Sequence, residues 1–100
     1  MDMRTDDITP FLGQIVDIIP RNSSEMLITM TVDDITEYGI ICRYWERYYF
    51  SKGLNRYVYD DGSDDITNPA RLEISNIVSI IPTKIGFTNI EYALDTDLGV

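Results

Sequence analysis

Residues Arg71–Ile81 read RLEISNIVSII, and the way this stretch divides decides the fold. Leu72 and Ile74 alternate with Glu73, the period-two pattern of a half-buried strand. The polar pair Ser75-Asn76 then interrupts, and Ile77, Val78, Ile80 and Ile81 resume in a different phase. One straight strand would keep its apolar residues on a single side, because successive side chains point to opposite faces. Two short strands joined by a tight corner at Ser75-Asn76 satisfy both halves.

The segments on either side are also extended. Gly13–Ile19 (GQIVDII) reads as a largely buried strand, closed by Pro20 and the polar turn Arg21-Asn22-Ser23-Ser24. Glu25–Val32 alternates, with Met26, Ile28, Met30 and Val32 on one face and Leu27, Thr29 and Thr31 on the other. Asp33–Tyr38 reads as a polar loop. Gly39–Ser51 is a long β-branched and aromatic run with a bend near Glu46, Lys52–Asn55 a turn, and Arg56–Tyr59 a short returning strand. Asp60–Pro69 has the composition of a loop. Residues 5–12 predict one or two helical turns capped by Thr5 or Asp6, and residues 83–100 an extra strand and an acidic tail. The predicted fold is therefore mainly β: a small, strongly bent five-stranded barrel over residues 13–82, preceded by a short N-terminal helix in residues 1–12. Its first and last strands leave edges that must be covered or paired. The tetrapeptide DDIT recurs at Asp6–Thr9, Asp33–Thr36 and Asp64–Thr67 with unmatched flanks, so it reads as a reused turn signal and not a repeat.

Composition narrows the function. One hundred residues with 44% hydrophobic and 25% charged side chains make one globular domain. No apolar run reaches the ~18–20 residues that span a bilayer, and the N-terminus is too acidic for a signal peptide. The expected location is cytoplasmic, that of a host cell if the protein is viral, with no membrane partner. A single cysteine, Cys42, and no histidine leave nothing from which to build an intrachain disulfide or a thiolate–imidazole metal site. The commonest general base is missing, and neither a glycine-rich phosphate loop nor a serine elbow is present. Asp60–Asp65 lacks the spacing of a calcium loop. The expectation is a protein without catalysis, metal or cofactor.

The formal net charge is −9, yet Arg43–Phe50 (RYWERYYF) gathers the only tryptophan with three tyrosines, a phenylalanine and two arginines. On a regular strand Arg43, Trp45, Arg47 and Tyr49 share one face, while Tyr44, Glu46 and Tyr48 share the other, the better core candidate up to Glu46. Alternating cations and rings suit single-stranded nucleic acid: rings stack bases for ~1–3 kcal/mol each and arginine pairs with phosphate. Screening over about 10 Å at ~0.1 M salt lets such a patch act despite distant acids. The same residue types also serve sheet packing and subunit interfaces.

The order of elements, carried by GQIVDII, EMLITMTVDD and above all RLEISNIVSII, resembles the Sm/LSm family. Ile74 stands at the apolar position of the family's second signature, Ser75-Asn76 at its corner and Ile77–Ile81 in its closing strand. The family's Arg-Gly corner is absent, and Tyr38 stands where an Asn is usual. A generic SH3-like barrel accounts for the same strand pattern. The resemblance implies a homo-oligomeric ring in which each protomer's last strand pairs with its neighbour. It also implies binding of single-stranded RNA by two pore loops, here Asp33–Tyr38 and Ser75-Asn76, with Tyr38 stacking a base and Asn76 hydrogen-bonding one. Single-stranded DNA is the alternative ligand, and the composition suggests a diverged phage member. The rival classes are an acidic interaction module that mimics nucleic acid toward a basic partner, and a viral structural component.

Overall fold

The computed structural model describes residues 3–21, 25–63 and 68–84; the extra strand and tail expected at 83–100 lie almost wholly outside these. A short helix, α1 (Thr5–Ile8), runs into a 3₁₀ turn at Thr9–Phe11. Eight strands follow: β1 (Ile15–Pro20), β2 (Met26–Thr31), β3 (Asp34–Thr36), β4 (Gly39–Cys42), β5 (Trp45–Ser51), β6 (Arg56–Gly62), β7 (Ala70–Glu73) and β8 (Ile77–Pro82). A 3₁₀ turn at Ile74–Asn76 joins the last two, so the corner in RLEISNIVSII falls where the phase of the sequence breaks.

The strands form two antiparallel sheets, ordered β6-β5-β2-β1-β8 and β3-β4-β7. More strands appear among the described residues than the five expected, because Asp34–Thr36 pairs as a strand of its own and the run Gly39–Ser51 divides into β4 and β5, which lie in different sheets. Crossing between sheets strands backbone N–H groups that a straight ladder would satisfy. Side chains take them up: the Arg43 N–H donates to Asp33 Oδ2 at 2.6 Å, and the Tyr44 N–H to Thr31 Oγ1 at 3.3 Å. Asp33 and Thr31 thus hold the bends of two neighbouring segments together. Among the described residues no ladder closes either sheet into a cylinder.

Three expectations about the strands need correction, and the helix is capped at Arg4, not at Thr5 or Asp6. The segment Asp33–Tyr38 is not all loop, because Asp34–Thr36 pairs with Gly39–Ile41 as β3. Strand β6 does not stop at Tyr59; Asp61 and Gly62 lie opposite Arg47 and Glu46, where a cross-strand arginine offsets the poor strand propensity of aspartate. The bend in Gly39–Ser51 falls at Arg43-Tyr44, between β4 and β5, and not at Glu46.

That bend also changes which face is buried against what. Ile40 and Cys42 enter the main core with Ile8, Val16, Ile18, Met30, Val32 and Ile77, and Trp45 packs against this cluster from the next strand. Residues of both sheets and of α1 contribute, so the core joins the two layers. Tyr44, Glu46 and Tyr48, at 1%, 0% and 1% exposure, are buried outside that cluster. Glu46 accepts from the Tyr44 hydroxyl at 2.6 Å and from the Tyr48 hydroxyl, the pairing a buried carboxylate requires. Asp17, also buried, accepts from Thr29 Oγ1, Thr83 Oγ1 and the Lys84 backbone N–H, all at 2.8 Å. It pins the chain as it leaves β8.

Candidate functional site

The corner between β7 and β8 is clamped from two sides by residues distant in sequence. On one side, β3 and β4 form a hairpin whose two-residue tip is Glu37-Tyr38, since Thr36 pairs with Gly39. Gly39 lets this hairpin press against β7: a Cβ there would lie 2.1 Å from the Leu72 carbonyl oxygen and 2.8 Å from the Ile74 nitrogen. The close approach allows the Ile74 N–H to donate to the Tyr38 carbonyl at 2.7 Å. On the other side, the Arg21 N–H donates to the Asn76 carbonyl at 2.8 Å, and its Nε to the Ser75 carbonyl at 2.7 Å.

The result is a groove of about 850 Å³ whose lining includes Thr36, Glu37, Tyr38, Arg71, Glu73 and Ser75. Tyr38 is 72% exposed, the most exposed of the large apolar or aromatic side chains in the described residues. Its backbone N–H donates to Thr36 Oγ1 at 3.2 Å, which fixes the hairpin tip. Tyr38, Ser75 and Asn76, the three residues singled out by the family resemblance, therefore come together at one corner. Arg21 and Glu73 were missed. Arg21 reads as an ordinary turn residue because its partner lies 54 positions away, and Glu73 reads only as the outward position of a half-buried strand.

The aromatic–basic island is arranged differently. Trp45 and Arg47 do share a face of β5 and line a smaller groove of about 230 Å³ with Met26, Ile28, Met30 and Leu72. Trp45 is half-buried against the core, and the Arg47 guanidinium lies 5.9 Å from its ring centre. Arg47 is also drawn to β6: its Nε is 2.8 Å from Asp60 Oδ2, and a terminal nitrogen is 3.5 Å from Asp61. The hydrogen bond from Arg47 to Asp60 raises the arginine's pKa further. Tyr49 remains exposed, between Met26 and Val58 in the ladder. Arg43 sits in the bend, where its N–H is held by Asp33. The four do not form an open row of rings and cations. Arg71 borders both grooves and lies between the island and the corner.

No group of three or more histidine, cysteine, aspartate or glutamate side chains converges among the described residues. Burial, and then the negative charge of Asp33, pushes the Cys42 thiol up to about 12, so it stays protonated. No helix among the described residues is long and apolar enough to cross a membrane. No family model matches the chain, and no curated protein or solved structure was matched. What the fold defines is a small, mainly β, antiparallel two-sheet protein with a clamped corner beside an exposed tyrosine.

Proposed function

We propose that this chain is an Sm-like protomer that acts without catalysis, assembles with copies of itself and binds single-stranded RNA, with single-stranded DNA as the alternative, at the corner groove. The observation that carries the reading is the contact between the Tyr38 hairpin and the Ile74–Asn76 corner. Two loops far apart in sequence meet as the resemblance implies, beside a ring free to stack a base. Arg71 lines the same groove and supplies a cation for phosphate, in place of the missing arginine of the corner itself.

Assembly is supported by the sheet edges. The outer strands of the larger sheet, β6 and β8, carry exposed apolar side chains: Val58 and Tyr59 on one, Val78 and Ile81 on the other. Edges that have no partner strand among the described residues invite strand addition by a second copy. In this reading the barrel is a property of the assembled protomer, each open edge being completed by its neighbour.

Two measurements test this together. Sedimentation of the purified chain should give a discrete oligomer at micromolar concentration, which Val78→Lys with Ile81→Lys converts to a folded monomer. A labelled single-stranded oligoribonucleotide should bind at low salt and be released as salt rises. A monomeric wild type overturns the ring. Binding to a basic peptide and not to the oligonucleotide overturns the nucleic-acid reading in favour of an acidic interaction module.

A further inference from the structure

The corner groove differs from a general phosphate track in carrying two carboxylates beside its exposed ring. Glu37 adjoins Tyr38 at the hairpin tip, and Glu73 pairs with Gly39 across the β4–β7 ladder. The backbone contact at Gly39, where a Cβ would fall 3.0 Å from the Glu73 Cα, brings Glu73 to the root of the Tyr38 loop. The only hydrogen bond to the Glu73 carboxylate among the described residues is a long one, 3.5 Å from Ser75 Oγ, and both glutamates are exposed.

A carboxylate only accepts hydrogen bonds. A base stacked on Tyr38 would present its Watson–Crick edge to this rim. Guanine offers two adjacent donors, N1–H and the N2 amino group, which match the two oxygens of one carboxylate. Cytosine and adenine offer one amino group. Uracil offers a single N3–H between two carbonyl oxygens, and those oxygens meet the carboxylates as like charges.

We infer that the corner groove selects bases by their donor edge, with guanine preferred and uracil rejected, and that Glu73 and Glu37 are the selecting residues. This rests on the single-stranded nucleic-acid reading above and names its preferred ligand. The charge of the groove gives the selection a second consequence. Two carboxylates weaken the general attraction for phosphate, so binding depends more on the base than it would in a basic groove.

The test uses the full chain and labelled octaribonucleotides that are identical runs of adenosine except for two central positions, filled with guanosine, cytidine or uridine. Fluorescence anisotropy at low salt should rank guanosine tightest and uridine weakest, separated by about 10-fold or more. Glu73→Gln and Glu37→Gln, each checked for native circular dichroism, should bring that ratio toward one while the uridine-containing oligonucleotide binds no worse. Tight binding that favours uridine, or a ratio unchanged in both variants, overturns the selection and leaves the nucleic-acid reading standing. Failure of every oligonucleotide to bind overturns both.

Discussion

Replacing Gly39 with alanine adds one methyl group at the point where the β3–β4 hairpin meets β7, and the structure sets the size of the effect. The new Cβ would lie 2.1 Å from the Leu72 oxygen, 2.8 Å from the Ile74 nitrogen and 3.0 Å from the Glu73 Cα. Carbon contacts settle near ~3.5 Å, so the strands must separate by roughly 1 Å. All three obstructing atoms are backbone and cannot swing aside. Overpacking of this kind costs about 1–3 kcal/mol, loss of the Tyr38–Ile74 hydrogen bond about 1 kcal/mol, and a side chain at positive φ about 1 kcal/mol. The sum is about 3–5 kcal/mol, which at a urea slope of ~1.5 kcal/mol/M lowers the denaturation midpoint by ~2–3 M.

Gly13 provides the control, because it also has positive φ, +81°, but has nothing within 4 Å of its added Cβ. Gly13→Ala should therefore show only the backbone penalty, about 1 kcal/mol. Urea titrations of both variants followed by Trp45 fluorescence decide the matter. If Gly39→Ala is no more destabilised than Gly13→Ala, the close approach of Tyr38 to the corner is wrong, and the groove built on it goes with it.

Other expectations follow from the buried groups and the ion pairs. Glu46→Gln replaces a carboxylate that accepts two phenol hydroxyls with a side chain having one acceptor, and should lower stability by about 1–3 kcal/mol in urea titration. The raised pKa of Cys42 makes a pH prediction. The thiol is neutral in the folded chain and ionises near 9.0 when unfolded. Its contribution is therefore complete below pH 9.0 and lost as the pH rises toward about 12, and Cys42→Ala should flatten that part of the stability profile relative to wild type. The Arg47–Asp60 pair is about one-third exposed on each side, so Asp60→Asn with Asp61→Asn should change stability by less than about 1 kcal/mol. The same double variant removes two negative charges from the protein and should tighten oligonucleotide binding ~3–10-fold at low salt, a gain that added salt erases.

Much of the strand arrangement was legible because burial leaves a period-two trace wherever a strand has one dry face. The corner at Ile74–Asn76 was legible for the opposite reason, since a change of phase is visible only against regular alternation. Strand β3 was hidden: Asp34 and Thr36 point away from the core and only Ile35 packs against it, so three residues carry one apolar signal. The tetrapeptide DDIT shows the limit directly. Asp6-Asp7-Ile8 is helical and Asp34-Ile35-Thr36 is a strand, although the local sequence is the same. Ile8 and Ile35 both reach the core, and tertiary packing decides which backbone conformation delivers them.

The site was less legible than the fold. Regular alternation through Arg43–Phe50 predicts one face of rings and cations, and the buried positions do alternate, but on that face Trp45 packs against the core and Arg47 pairs with Asp60. The aspartates that engage Arg47 read as turn residues until a partner strand brings them opposite it. Tyr38 could be linked to Ser75-Asn76 only through the family resemblance, because nothing in the local sequence of either loop specifies the other. Arg21 carries no local signal for its role.

Ultraviolet crosslinking of a mixed-sequence single-stranded RNA to the wild-type chain, with the attachment points read by mass spectrometry, tests the central claim most directly. Adducts should map to Tyr38 and to the peptide containing Ile74–Asn76, and disappear at high salt. Adducts confined to Trp45 and Tyr49, or no adduct at low salt, would contradict the corner groove as the binding site.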